Sequence, residues 1–260
     1  MMILAGDIGG TKTNLALYEA QAEGLSLVEE YKALSRDYES LESLIERFVK
    51  KIEHPLQAAC FGIPGPVIGG ASKTTNLPWF VDEKSLARAL RLDAVYLIND
   101  LEATAYGIPA LDGDQLMMLN AGVPEEHGNV ALIAAGTGLG QAALGWDGER
   151  QRVMASEGGH ADFAPRSELE IELLRYLLTL HEHVSYERVL SGPGLVNIYN
   201  FLKACGYATE PDWLHQALIA SDDQAQVISQ TALAETAEMC VKALDIFATV
   251  YGAQAGNLAL

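Results

Sequence analysis

The chain reads as a two-domain α/β protein. Two strand–glycine loop–strand units, one at the start and one near the middle, point to two domains. Apolar strands alternating with amphipathic helices between them point to layered α/β architecture.

The opening stretch MILAGDIGGTKTNLALY alternates apolar residues up to Gly6, and alternation resumes through Leu15 and Leu17. A plain hairpin needs only Asn-Gly or Asp-Gly at its turn. This one carries Gly6, Asp7, Ile8, Gly9, Gly10, Thr11 and Lys12. Successive backbone N–H groups in such a turn can form an anion nest. An acid beside bare phosphate is unfavourable, but Asp7 makes sense if Mg²⁺ lies between them. The alternative for either glycine loop alone is a tight hairpin, because glycine suits turns generally. Neither loop fits the Walker A or the dinucleotide fingerprint pattern.

LESLIERFVKKI follows as a helix with Leu41, Leu44, Ile45, Phe48 and Ile52 on one face. Ala58 to Ile63 is a buried strand ended by Pro64-Gly65-Pro66. Asp82 is placed to cap a short helix through Leu90, and Val95 to Ile98 forms another strand. Asn99-Asp100 then stands between that strand and the helical run LEATAYGI. Asp100 is either an N-cap or a carboxylate at the strand's carboxyl end, where open α/β sheets place ligands.

Asn129 to Gly145 repeats the opening pattern: VALIAA, a turn Gly136-Thr137-Gly138-Leu139-Gly140, and a further apolar strand. The domain boundary is expected within 108–115, giving domains 1–110 and 111–260 with a loop from each at a shared cleft. The remainder reads as mostly helical. Ser167 and Glu170 form a capping box before a run to about Leu180, and Ser221-Asp222-Asp223 begins one long helix over 224–255.

Two polar loops remain. In SEGGHADF, Glu157 and His160 have spacing that a metal could use, but no further ligand accompanies them. The paired glycines favour a loop that hydrogen-bonds a polyhydroxyl ligand. His181 and His183 flank Glu182 on what reads as a solvated face. Glu187, in YERVLSGPG, reads alone as a surface residue at a helix start.

Charge narrows the function classes. With 17 basic and 35 acidic residues the net charge is −18, which repels nucleic acid and anionic membranes. Cys60, Cys205 and Cys240 lack metal-type spacing and suit a reducing, cytoplasmic setting. Asp7 interrupts the first apolar run, which argues against a signal peptide. The most apolar stretch, Val130 to Trp146, holds Thr137, Gln141 and several glycines and is a poor membrane span.

In order along the chain, DIGGTKTNLAL, TTNLPW, LINDLEATAYGI, AAGTGLG, EGGHADFAP and ERVLSGPGLVNIY closely resemble the bacterial glucokinase family. That resemblance covers essentially the whole chain and implies the two-domain actin-like ATPase (ribonuclease H-like) fold. It implies that Gly6 to Lys12 and Gly136 to Gly138 cradle the phosphates of ATP, with Asp7 near Mg²⁺ through water. It implies that Asn99, Asp100, Glu157, His160 and Glu187 contact D-glucose, with Asp100 the catalytic base, in a homodimeric assembly. The family continues past Leu260 with a strand, an adenosine-contacting segment and a returning helix. The second domain is therefore expected to be incomplete, with an unpaired sheet edge. Two other classes fit fewer features. A sugar-responsive regulator of the related repressor–kinase group would carry a DNA-binding motif before the first loop. A catalytically silent sugar-binding module would share the sugar residues without turning over ATP.

Overall fold

The computed structural model describes residues 1–22, 24–52, 55–74, 77–123 and 125–260. Thr75 and Asn76 of TTNLPW lie outside the described residues. The chain forms two compact units, Met1–Gly122 and Val123–Leu260. Two short 3-10 turns, Ile108–Ala110 and Gly113–Gln115, occupy the segment where the boundary was expected, and the division follows at Gly122.

In the first unit, β1 (Met2–Ile8), β2 (Lys12–Gln21) and β3 (Gly24–Leu34) form an antiparallel meander. Its period-2 pattern puts Leu4, Ile8, Leu15 and Leu17 into the core. Helix α1 (Leu41–Val49) buries Leu41, Leu44, Ile45 and Phe48 on one stripe. Ser40 caps it, accepting from the Ser43 N–H at 3.2 Å. Strand β4 (Ala58–Ile63) lies parallel to β1, so Asp7 stands beside Gly62. A small ribbon, β5 (Ala71–Lys73) with β6 (Phe80–Asp82), precedes α2 (Glu83–Leu90), which Asp82 caps through the Ser85 N–H at 2.9 Å. Strand β7 (Tyr96–Asn99) pairs parallel with β4 and feeds directly into α3 (Asp100–Gly107). The sheet order is β3-β2-β1-β4-β7. Its parallel half ends with β1, β4 and β7 adjacent at their carboxyl ends, where the candidate residues of this unit gather.

In the second unit, β8 (Val130–Ala135), β9 (Leu139–Trp146) and β10 (Gln151–Ser156) form an antiparallel sheet of order β10-β9-β8. The turn is tighter than expected: Leu139 already pairs with Ala135, so only residues 136–138 are loop. Strand β10 was not anticipated, because QRVMAS has no clean alternation. Among the described residues β8 pairs with β9 alone. Helices α4 (Glu168–Leu178), α5 (Gly192–Ala204), α6 (Asp212–Ala220), α7 (Gln224–Leu233) and α8 (Glu238–Leu258) follow. Leu173, Leu177, Ile198, Tyr199, Leu202, Leu214, Ile228 and Ala243 build their shared core.

Two expectations here need correction. The single helix expected over 224–255 is two helices, α7 and α8, broken at residues 234–237. Glu235 there has φ 54°, a left-handed conformation that usually goes to glycine or asparagine, so no breaker marked the turn. The Ser167–Glu170 capping box is also only half formed. Ser167 accepts from the Glu170 N–H at 3.3 Å. The buried Glu170 carboxylate instead accepts from the Arg166 backbone N–H at 2.7 Å and from its guanidinium at 3.3 Å. No helix among the described residues is long and apolar enough to cross a membrane.

Candidate active site

The first loop is small and tightly braced. The Gly9 N–H donates to the Lys12 carbonyl at 2.9 Å, closing the turn between β1 and β2. Ser35, fully buried at the end of β3, donates its hydroxyl to the Gly9 carbonyl at 2.7 Å. Its backbone N–H donates to the Thr11 carbonyl at 3.0 Å, and its Oγ lies 3.0 Å from the buried Thr13 Oγ1. Carbonyls thus face inward, and the loop keeps N–H groups free for an anion. Sequence reasoning missed Ser35 and Thr13; a serine after a strand carries no special signal.

Asp7 is exposed at the end of β1 and accepts from the Asn14 Nδ2 at 3.2 Å. Asp100 opens α3 after β7, two strands further along the sheet. The helix cap is Asn99, not Asp100. The Asn99 Oδ1 accepts from the Leu101 N–H at 2.9 Å and the Glu102 N–H at 3.3 Å, while its Nδ2 donates to the Gly65 carbonyl at 3.1 Å. Capping by its neighbour leaves the Asp100 carboxylate, among the described residues, with one bond, from the Leu101 N–H to Oδ1 at 2.9 Å. Gly62 makes this close approach possible: a Cβ there would lie 3.0 Å from the Ala103 Cβ and 3.7 Å from the Asp100 Cα. Burial pushes the Asp100 carboxyl above the ordinary aspartate value, and the Asp7 charge pushes the same way. The Leu101 N–H opposes both. Asp100 is thus a half-buried carboxylate with a free oxygen, suited to take a proton.

The second unit gathers the other candidates at the start of β9. Gly136 donates its N–H to the Gly138 carbonyl at 2.9 Å and accepts from the Gly192 N–H at 2.8 Å. The second loop is thereby tied to the N-terminus of α5, an end whose free N–H groups favour anions. Ser191 caps that helix through the Gly194 N–H at 3.0 Å. A cavity of about 970 Å³ opens here, lined by Gly136, Thr137, Gly192, Asp223, Gln226 and Phe247 among others. Its walls come from three helical segments, which local pattern could not bring together.

Glu187, in the 3-10 turn Tyr186–Arg188, is no ordinary surface residue. Its Oε2 accepts from the Leu139 N–H at 2.9 Å, immediately after the second loop. A Cβ on Gly138 would lie 2.5 Å from that oxygen, which is why glycine stands there. Glu157 and His160 flank the 3-10 turn Gly158–His160 and are largely exposed, with the His160 Nε2 4.0 Å from the Glu157 Oε2. Backbone pairing joins the two loops: the Phe163 N–H donates to the Val184 carbonyl, and the Tyr186 N–H to the Ala161 carbonyl, both at 2.9 Å. His160 and Glu187 consequently line one polar cavity of about 400 Å³. Of the helix-end residues, Glu182 and His183 are exposed as expected, and the His183 Nε2 sits 2.6 Å from the Asp162 Oδ1. His181 is half-buried and lines that cavity.

Among the described residues no group of three or more His, Cys, Asp and Glu side chains could hold a metal. A Mg²⁺ at Asp7 fits differently, because this ion keeps several waters and takes one or two carboxylates plus substrate phosphates. The exposed Asp7 carboxylate, bonded to Asn14 alone among the described residues, has that character.

A family model described as Glucokinase matches residues 4–260. The glucokinase of Nostoc punctiforme is 42% identical over 273 aligned residues, covering 100% of this chain and 80% of that protein. That of a Synechocystis strain is 39% identical, covering 99% of this chain and 79% of that protein. Among solved structures, a glucokinase from an Antarctic psychrotroph superposes with a TM-score of 0.82 at 33% identity, covering 99% of this chain and 78% of that one. A glucokinase from Balamuthia mandrillaris, solved in complex with glucose, gives a TM-score of 0.75 at 25% identity, covering 95% and 72%. The fold is that of these sugar kinases, the actin-like ATPase fold expected from the motifs. The chain belongs to the glucokinase family of ATP-dependent hexose kinases.

Proposed function

We propose that this chain transfers the γ-phosphoryl group of ATP to the 6-hydroxyl of D-glucose, giving glucose 6-phosphate. The observation that carries this reading is Asp100: half-buried, relieved of capping by Asn99, and free at one oxygen. In this reading unit Met1–Gly122 supplies the first phosphate loop and the base, and unit Val123–Leu260 supplies the second loop and the sugar loops.

Asp100 accepts the proton of the 6-hydroxyl as that oxygen attacks phosphorus, and the terminal P–O bond of ATP breaks to release ADP. Backbone N–H groups within residues 10–12 and 137–138 hold the phosphates, and the α5 N-terminus adds its dipole. The cavity of about 970 Å³ beside Gly136 accommodates the nucleoside portion. Asp7 would hold a Mg²⁺, which would neutralise charge on the transferring phosphates. Glu157, His160 and Glu187 orient the sugar, and Asn99 retains one Nδ2 hydrogen for a hydroxyl beyond its bond to Gly65. Most of the rate enhancement is positioning and charge stabilisation. A homodimer and a cytoplasmic location complete the proposal; both rest on the family resemblance, the latter also on three free cysteines.

Glucose and 6-deoxyglucose separate binding from transfer. Glucose should yield glucose 6-phosphate by phosphorus NMR, whereas 6-deoxyglucose should bind without releasing ADP. Phosphate on any other sugar oxygen would contradict the role given to Asp100.

A further inference from the structure

The polar cavity beside His160 and Glu187 extends well beyond those two residues. It continues over His181, Glu182, Ser185 and Arg188, none of which has a part in the site described above. Its volume, about 400 Å³, lies within the range of small-molecule sites. Among the lining side chains only Leu180 is aliphatic. Ser185 is buried, 3% exposed, and lines the cavity. The Arg188 guanidinium has no carboxylate partner among them either; its backbone carbonyl is the group in use, accepting from Asn197 at 2.9 Å.

We propose that this cavity is a second carbohydrate subsite, receiving a hexosyl group attached to the bound glucose at its anomeric end. The inference rests on the sugar-site reading above. In that reading Asp100 serves the 6-hydroxyl, and His160 and Glu187 serve hydroxyls on other carbons, C1 among them. A substituent leaving the ring beside His160 and Glu187 enters the cavity. Its lining mixes donors (Arg188, Ser185) with acceptors (Glu182, Glu187) and imidazoles that act as both. Hydroxyls, which donate and accept, satisfy such a mixture. An anion would meet two carboxylates and is disfavoured.

The test uses maltose and cellobiose, whose non-reducing ring keeps its 6-hydroxyl and carries the second ring on C1. Methyl glucoside is the control without a second ring. Calorimetry on the whole chain should show one disaccharide binding within about tenfold of glucose, tighter than methyl glucoside, and displaced by glucose. His181→Trp, which fills the cavity, and Arg188→Ala, which removes a donor, should each weaken the disaccharide about tenfold or more. Both should leave glucose affinity unchanged. Glucose binding without disaccharide binding overturns the subsite alone, as does equal weakening of both ligands in the variants. Failure of glucose itself to bind a folded chain, checked by circular dichroism, overturns the sugar-site reading beneath it.

Discussion

Asp100 carries a cost that its chemistry explains. Its carboxyl is raised in the folded chain by burial and by Asp7, so ionising it there is harder than in the unfolded chain. That penalty is fully present above the folded value and vanishes below the ordinary aspartate value of 3.8. Asp100→Asn should therefore leave thermal stability at neutral pH equal or higher, with the difference disappearing on acidification. The same change should lower turnover by about 10²–10⁴, the usual worth of a general base, while glucose affinity stays within a few-fold. Calorimetric binding, melting curves and rate measured together check this. A destabilised variant with near-normal turnover would make Asp100 a structural residue. Glu157→Ala and His160→Ala should each weaken glucose binding by about 1–3 kcal/mol, and less than additively because they hold one ligand. Titration of the double variant decides additivity. If zinc or a chelator altered binding, the metal reading of this pair would return.

At the scale of elements, the glycine loops act through what they touch. Gly138→Ala puts a methyl against the Glu187 carboxylate, the far end of a flexible side chain, rather than against backbone. Stability should change by about 0.5 kcal/mol or less, as for most mild substitutions, while glucose affinity falls because Glu187 must move. A large drop in melting temperature with unchanged affinity would contradict that division. Glu235→Gly should stabilise the α7–α8 turn by about 1 kcal/mol, since a left-handed non-glycine residue is strained. An unchanged or lowered denaturation midpoint would show that the turn tolerates glutamate. These elements also mark how far sequence carries. The β1–β2 hairpin, α1, β4, α2 and β7 were legible because period-2 or helical periodicity is a local property. The bond between Glu187 and Leu139 was not, because the two lie 48 positions apart. Ser35 and Gly62 escaped for the same reason: each acts across the sheet on a neighbour distant in sequence. The break at Glu235 left no trace because its strain is borne by a residue that does not advertise a turn.

For the whole molecule, the central claim is that the two units together make a glucose-dependent ATP kinase. The family and its order of motifs were readable from sequence, since six short stretches in fixed order are far more specific than any one. The walls of the cavity beside Gly136 were not, because residues 191–197 and 221–229 meet only through packing of α5 and α7. A silent sugar-binding module would keep the loops and the sugar residues yet leave ATP intact. The most direct measurement is coupled ADP release from ATP and Mg²⁺ over a panel of hexoses, with Asp100→Asn in parallel. ADP release should require sugar, be fastest with glucose, and fall by about two orders of magnitude or more in the variant. Glucose binding with no ADP release from the native chain, or release independent of sugar, would contradict it.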